Sequence, residues 1–359
     1  MTPRENLSLL VSGASPQWIP FTLDVGGSEG FTTAIQRRFE KETGAKDPAE
    51  HFDYDFRTAE LPRKFGGDDP RRWSREAPDG TVFDEWGIGH WAGGAEDTYE
   101  RMFAPLAGVT SEREVASFPE PIIGRDGVEK RVAEYQRRGY PVIGYSGSIY
   151  EWSWWLRGME QFMVDTLESP GIAAAIVDKV AGFTARLALE NAAAGFDILA
   201  FYDDAGSQAG MQISPTLWRT LIKPAWKRVL DAVRARYPKT IFFLHSCGNI
   251  TDIVPDVVEL GFHILHPVQP ECMDPAAMKA AYGSRIVLCA TLGAQRTLSL
   301  SPAEEVRKET ARVMDTIGAD RRCIVCPSNR VQPETPWENV LAFAEAARSH
   351  RFGKRESQA

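Results

Sequence analysis

From Val132 onward a short apolar run and a longer amphipathic run alternate, and this alternation constrains the fold more than any other feature of the chain. The apolar runs are PVIGY (141–145), DILAFY (197–202), TIFFLH (240–245), HILHPV (263–268), RIVLCAT (285–291) and RCIVC (322–326). Segments of helical period lie between them at about 171–194, 215–236, 250–260, 275–282 and 302–317, and a closing one at 336–349. Continuous apolar runs are those of strands buried on both faces, as in parallel sheets covered by helices. One helix per strand implies parallel neighbours joined by right-handed crossovers. A doubly wound open sheet fits the same alternation, but it concentrates its polar site at one switch point. Here polar residues end strand after strand, so a closed (β/α)8 TIM barrel is expected, with its site on the rim at the C-terminal strand ends. The remaining one or two strands must come from the N-terminal part, where IPFTLDV (19–25) is the best candidate.

Residues 1–130 are rich in Gly, Pro, Trp and charge and predict loops and short elements; 131–350 carry the regular repeats, and 1–359 is read as one domain. The hydrophobic share of 43% is enough for a sizeable core. A net charge of -8 argues against nucleic acid, whose binders cluster Lys and Arg. No apolar run reaches the ~18 residues of a membrane span, and the start MTPRENLSLLVSG is too weakly basic and apolar for a secretory leader. A cytoplasmic protein without membrane contact is expected. The five cysteines, an odd number crowded between 247 and 326, do not form a disulfide framework and are core fillers, metal ligands or nucleophiles. No GxGxxG, GxxxxGK or GxSxG occurs, which removes the main reasons to propose nucleotide or acyl-transfer chemistry.

The sharpest local signal is His245-Ser246-Cys247-Gly248, at the C-terminal end of a strongly apolar strand. An imidazole and a thiol two residues apart can reach one ion from a strand-to-loop turn, and Gly248 permits the bend. Cys326 closes the last predicted strand and reaches the same rim. Three N/S ligands from strand ends with a fourth position open is the pattern of catalytic zinc; the bland alternative is that Cys326 is a small buried apolar residue. Cys323, three residues before it, faces the other side of a strand and packs. Cys272 and Cys289 are either packing residues or neighbours of the site. Asp203 and Asp204, before Gly206 and a long loop, can bind a cation, accept a proton or orient a ligand histidine, or else cap the next helix. Tyr145, Gln269, Asn329 and Gln332 end or follow strands and are candidate substrate contacts. Trp152 belongs to an aromatic cluster (150–155) that is either core or a flat wall against a ring. His263 is read as a satisfied residue at a strand start, while His266 lies nearer the rim.

The stretches HSCGNITDIVPDVVELGFHILHPVQPECMD, YDDAG and CPSNRVQPETPWENVLAFAEAAR resemble the uroporphyrinogen decarboxylase superfamily, and in particular its branch of cobalamin-dependent methyltransferases. The resemblance covers roughly 130–350, with DEWGIGHW and ETGAKDPAEHFDYDFR extending it more loosely. It implies a (β/α)8 barrel, Zn2+ held by an HxC pair and a distant cysteine at the positions of His245, Cys247 and Cys326, and a corrinoid protein partner whose methylcobalamin docks over the barrel mouth. The methyl group would pass between that partner and a small thiol or methoxylated substrate. The decarboxylases proper carry an arginine-rich N-terminal motif for a polycarboxylate tetrapyrrole. The corresponding stretch here, Asp24 to Gly30, lacks those cations, although Asp203 matches an acidic position of the superfamily. A metal-free decarboxylase and a non-catalytic tetrapyrrole-binding barrel remain the alternatives.

Overall fold

The computed structural model describes residues 1–25, 30–74, 76–92, 101–289 and 292–352. Its main sheet contains seven parallel strands in chain order: β1 (Arg57–Ala59), β2 (Val142–Tyr145), β3 (Ile198–Tyr202), β4 (Ile241–His245), β5 (Ile264–His266), β6 (Val287–Cys289) and β7 (Cys323–Ile324). The expected alternation is present from β2 to the closing helix Trp337–His350. The helix expected at 215–236 is interrupted by a π-helical segment, Trp218–Ile222, before it continues as Lys223–Arg236.

The expectation of eight barrel strands is corrected to a seven-stranded sheet curled into a half-barrel. No eighth regular strand joins it among the described residues. The 19–25 segment, expected as that strand, makes one isolated parallel bridge, Phe21 to Val325, and its Phe21 carbonyl accepts from the Asp55 N–H. Pro20 has no N–H to give to a ladder, which keeps this segment from forming a longer one. The N-terminal strand is instead β1, within DFRTAE. Its Arg57 hides the strand from a hydropathy reading, yet the side chain is buried and donates to the carbonyls of Tyr54 and Phe56. Its guanidinium also stacks on the Tyr140 ring. Gly26 to Glu29 of the stretch compared with the arginine-rich motif, and the end of the expected 285–291 strand, lie outside the described residues.

Side chains alternate across the sheet as a pleat requires. Ile143, Ile198, Ala200, Tyr202, Phe243, Ile264, Val287, Cys289 and Ile324 form one inner cluster, while Val142, Leu199, Phe201, Phe242, Leu244, Leu265 and Leu288 face the covering helices. Cys323 packs outward with Ile19 and Met314, as its spacing from Cys326 predicts. The inner cluster also contains Leu7 and Leu10 of the helix Pro3–Ser12. That helix starts on a Thr2/Glu5 capping box and stops at Gly13 in the left-handed region, and Arg4 ties it to Asp197 just before β3. It therefore plugs the end of the sheet opposite the functional rim. Replacing Leu10, which is fully buried, by alanine is expected to cost about 3 kcal/mol in urea unfolding. A cost below about 1 kcal/mol would show that the helix does not seal the inner cluster.

Candidate metal and substrate site

The inward residues at the C-terminal ends of the central strands form a row. Tyr202 pairs in register with His245, and His245 with His266. Tyr202 stacks on His245 with ring centroids 4.4 Å apart, and the Nδ1 atoms of His245 and His266 lie 2.7 Å apart. Beyond His266, Cys289 and Cys326 bring their sulfurs to 3.2 Å. All of these side chains except Tyr202 carry metal-ligating atoms, and with Asp204 and Cys247 they fall into two groups.

The first group is Asp204, His245 and Cys247, whose ligand atoms lie within 4.8 Å of one another. Nε2 of His245 is 3.3 Å from the Cys247 sulfur and 3.4 Å from Asp204 Oδ1. The second group, His266, Cys289 and Cys326, is buried deeper and is equally close-set. Of the three residues expected to share an ion, His245 and Cys247 are thus brought together, and Cys326 stands in the neighbouring group. From the last loop it is Asn329 that reaches Cys247, its amide donating to the sulfur at 3.3 Å.

Two loops build the first group. The loop after β3 and the loop after β4 pack backbone to backbone at Gly206 and Gly248. A Cβ on Gly248 would come within 2.5 Å of the Gly206 carbonyl carbon, and one on Gly206 within 2.6 Å of the Cys247 oxygen. Gly248 also has φ +80°, the left-handed region. The Asn249 N–H donates to the Ser207 carbonyl, the Ala205 N–H to Ser246 Oγ, and the Cys247 N–H to Asp204 Oδ1. Gln269 braces the turn by accepting from the Gly248 N–H.

The adjacent aspartates do different work. Asp203 is buried and accepts from Ser148 Oγ, the N–H groups of Ile149 and Glu151, and Trp226 Nε1. It anchors the start of the helix Tyr150–Arg157. Burial raises its pKa, opposed by those four donors. Asp204 faces the histidine: burial acts to raise its pKa, but the hydrogen bond and charge of His245 and the Cys247 N–H outweigh it, leaving the carboxyl below its ordinary value. Burial pushes the Cys326 thiol well up, reinforced by Cys289.

Asp204 and His245 open onto a cavity of about 340 Å³, also lined by Tyr145, Tyr202, Trp152, Trp155 and Glu151, and by Glu60, Arg63, Asp84, Glu85 and His90 from the N-terminal segment. Trp152 is both wall and core, packing on Trp86 and Phe183. Arg63 is held by Glu60 and Glu85 and lies over the Tyr145 ring. Glu151 has its carboxyl pKa pushed well up by burial and then by the charges of Asp204 and Asp203. Gln332 bonds within its own loop, to the Arg330 carbonyl, and is not among the cavity-lining residues. His263 accepts from the Phe242 N–H, as expected of a residue at a strand start. The N-terminal contributors were not legible singly: they come from an irregular region whose only signal was the DEWGIGHW stretch, and the long loop between β1 and β2 carries them to the rim.

The uroporphyrinogen decarboxylase (URO-D) family model matches residues 128–350, and the chain belongs to that family. Among solved structures it is similar to a methyltransferase from Methanosarcina mazei, with TM-score 0.67 and 17% identity over 97% of this chain and 99% of that one. It also matches a B12-independent methionine synthase from Shewanella sp. W3-18-1, at TM-score 0.37 and 14% identity over 66% of this chain and 73% of the other. At these identities the likeness is one of fold. No curated protein matches the chain.

The division between the aspartates gives a direct test. Asp203→Ala strands several buried donors and is expected to cost about 3 kcal/mol in urea unfolding, with Asp204→Ala costing less than about half of that. Equal costs would contradict the assignment of the anchoring role to Asp203 alone.

Proposed function

We propose that the chain is a zinc-dependent methyltransferase that moves a methyl group between a corrinoid protein and a small thiol or methoxylated substrate. The observation that carries this reading is the gathering of Asp204, His245 and Cys247, the first two of which line an aromatic-walled cavity at the C-terminal strand ends. One imidazole nitrogen, one sulfur and one carboxylate oxygen make a donor set suited to zinc. His245 and Cys247 are the ligands common to the sequence reading and to this arrangement. Cys326 is the third in the sequence reading, and Asp204 stands in that place here. Zinc bound there would lower the pKa of a thiol or polarise an ether oxygen.

The rest of the chemistry falls to the chain itself. Asp204 fixes the Cys247 turn through its N–H and keeps negative charge beside His245. The rings of Tyr145, Trp152, Trp155 and Tyr202 exclude water and offer a flat surface to an aromatic ring. Glu151, its pKa raised by burial and by the charges of Asp204 and Asp203, can act as the acid that gives a proton to the oxygen that leaves when a methoxylated substrate loses its methyl group. This favours a methoxylated substrate over a thiol, since a thiol acceptor needs no acid. The corrinoid partner would approach over the open mouth.

Decarboxylation of a polycarboxylate tetrapyrrole is the weaker reading. The cavity holds carboxyl groups from Glu60, Asp84, Glu85, Glu151 and Asp204, and its arginine, Arg63, is already paired with two of them. A polyanionic substrate would meet repulsion where it needs guanidinium groups.

Elemental analysis of the purified chain is expected to find about one zinc, lost in His245→Ala and in Cys247→Ala. Retention of zinc in Cys326→Ala together with its loss in Asp204→Ala would make the aspartate the third ligand; the reverse would make it Cys326. No zinc in the wild type after metal re-addition would defeat the proposal. With a methoxylated substrate and a corrinoid protein, Glu151→Gln is expected to slow demethylation about 100-fold while zinc content is unchanged. An unchanged rate would remove the glutamate from the mechanism.

A further inference from the structure

We infer that His266 is a positioning residue, which fixes the nitrogen that His245 presents to the cavity through a hydrogen-bond chain ending on the Pro327 carbonyl. The use made of that nitrogen rests on the zinc reading above; the chain itself rests on geometry alone.

His245 and His266 lie opposite each other on β4 and β5, and both point inward. Two nitrogens 2.7 Å apart share one hydrogen, so one Nδ1 donates and the other accepts. The direction is set at the far end, where Nε2 of His266 lies 3.3 Å from the carbonyl oxygen of Pro327. A carbonyl oxygen only accepts, so His266 carries its hydrogen on Nε2. The ring is fully buried among apolar neighbours and the thiols of Cys289 and Cys326, with no carboxylate in its group. With its hydrogen on Nε2, His266 has its Nδ1 as the accepting nitrogen. It follows that His245 carries its hydrogen on Nδ1 and donates it to His266.

The consequence appears at the other side of the His245 ring. Its Nε2, 3.3 Å from the Cys247 sulfur and 3.4 Å from Asp204 Oδ1, is the nitrogen it presents to an ion. This is what a ligand histidine requires: one nitrogen held as N–H by an outer partner and the other aimed at the metal. A backbone carbonyl or a carboxylate usually fills the partner's place. Here a second imidazole does so, and its own Nε2 lies against the Pro327 carbonyl. Ring stacking holds both planes, Tyr202 on His245 and Phe243 on His266 at 5.5 Å.

The test uses the full chain labelled with 15N-histidine and stripped of metal, together with His266→Phe and His266→Asn. Phenylalanine keeps a ring for the stack but removes both nitrogens; the asparagine amide oxygen can still accept from His245 Nδ1. Two-bond 1H–15N NMR of the wild type is expected to show His245 with hydrogen on Nδ1, the Phe variant to shift it toward Nε2, and the Asn variant to restore it. Zinc dissociation constants from chelator competition are expected to be roughly 10–100-fold weaker in the Phe variant and near wild type in the Asn variant. A wild-type His245 with hydrogen on Nε2 alone, or a Phe variant with unchanged tautomer and unchanged affinity, overturns the inference. If the wild type shows the Nδ1 hydrogen but takes up no zinc, the positioning role stands and the zinc reading falls.

Discussion

The site depends on the contact between two loop backbones. Gly206 and Gly248 let the turns after β3 and β4 approach more closely than any pair bearing Cβ atoms. That approach lets the Asp204 carboxylate reach both the Cys247 N–H and the His245 ring. Without it the carboxylate, the imidazole and the thiol would still occur in the same sequence motifs, but not within reach of one ion. The hydrogen bonds across this seam, from Asn249 to Ser207 and from Ala205 to Ser246, join neighbouring strands beyond their last ladder bonds and extend the rigidity of the sheet into the rim.

Around this contact the polar groups are arranged in shells of decreasing solvent access. Asp204 and Cys247 are half-buried, the buried His245 lines the cavity beside Asp204, and His266 with the two deeper thiols closes the sheet interior. Asp203, His245 and His266 each have hydrogen-bond partners, which is the condition for holding such groups in an apolar core. Asp203 meets it with four donors and in doing so places Glu151 and Trp152 at the cavity wall. Stability and site geometry are thus served by one aspartate, while the next faces His245 and the cavity.

What could be read from the sequence follows from where the physics is local. Two-sided burial marks parallel strands in any sequence, so β2 to β6 and the rim position of His245, Cys247, Asp203 and Asp204 were legible as residues. Arg57 concealed β1 because a buried guanidinium held by two carbonyls and Glu50 reads as surface charge, and the apolar run around Pro20 made a bridging segment read as a strand. Cys326 was assigned to the rim by its place at a strand end. Which inward group it joins depends on the stagger between β6 and β7, about which spacing says nothing. His266 was placed near the rim without a role, since its partner is set by register between strands. Glu60, Arg63, Asp84, Glu85 and His90 reach the cavity by the course of a long irregular loop, a tertiary matter to which no periodicity corresponds.

The central claim is that His245 and Cys247 share one zinc ion at the cavity. Zinc-edge X-ray absorption of the loaded protein tests it most directly, because it counts the atoms around the ion. The account predicts a shell containing sulfur at about 2.3 Å together with nitrogen or oxygen at about 2.0–2.2 Å. A shell without sulfur, or zinc scattered among oxygen-only sites, would contradict it.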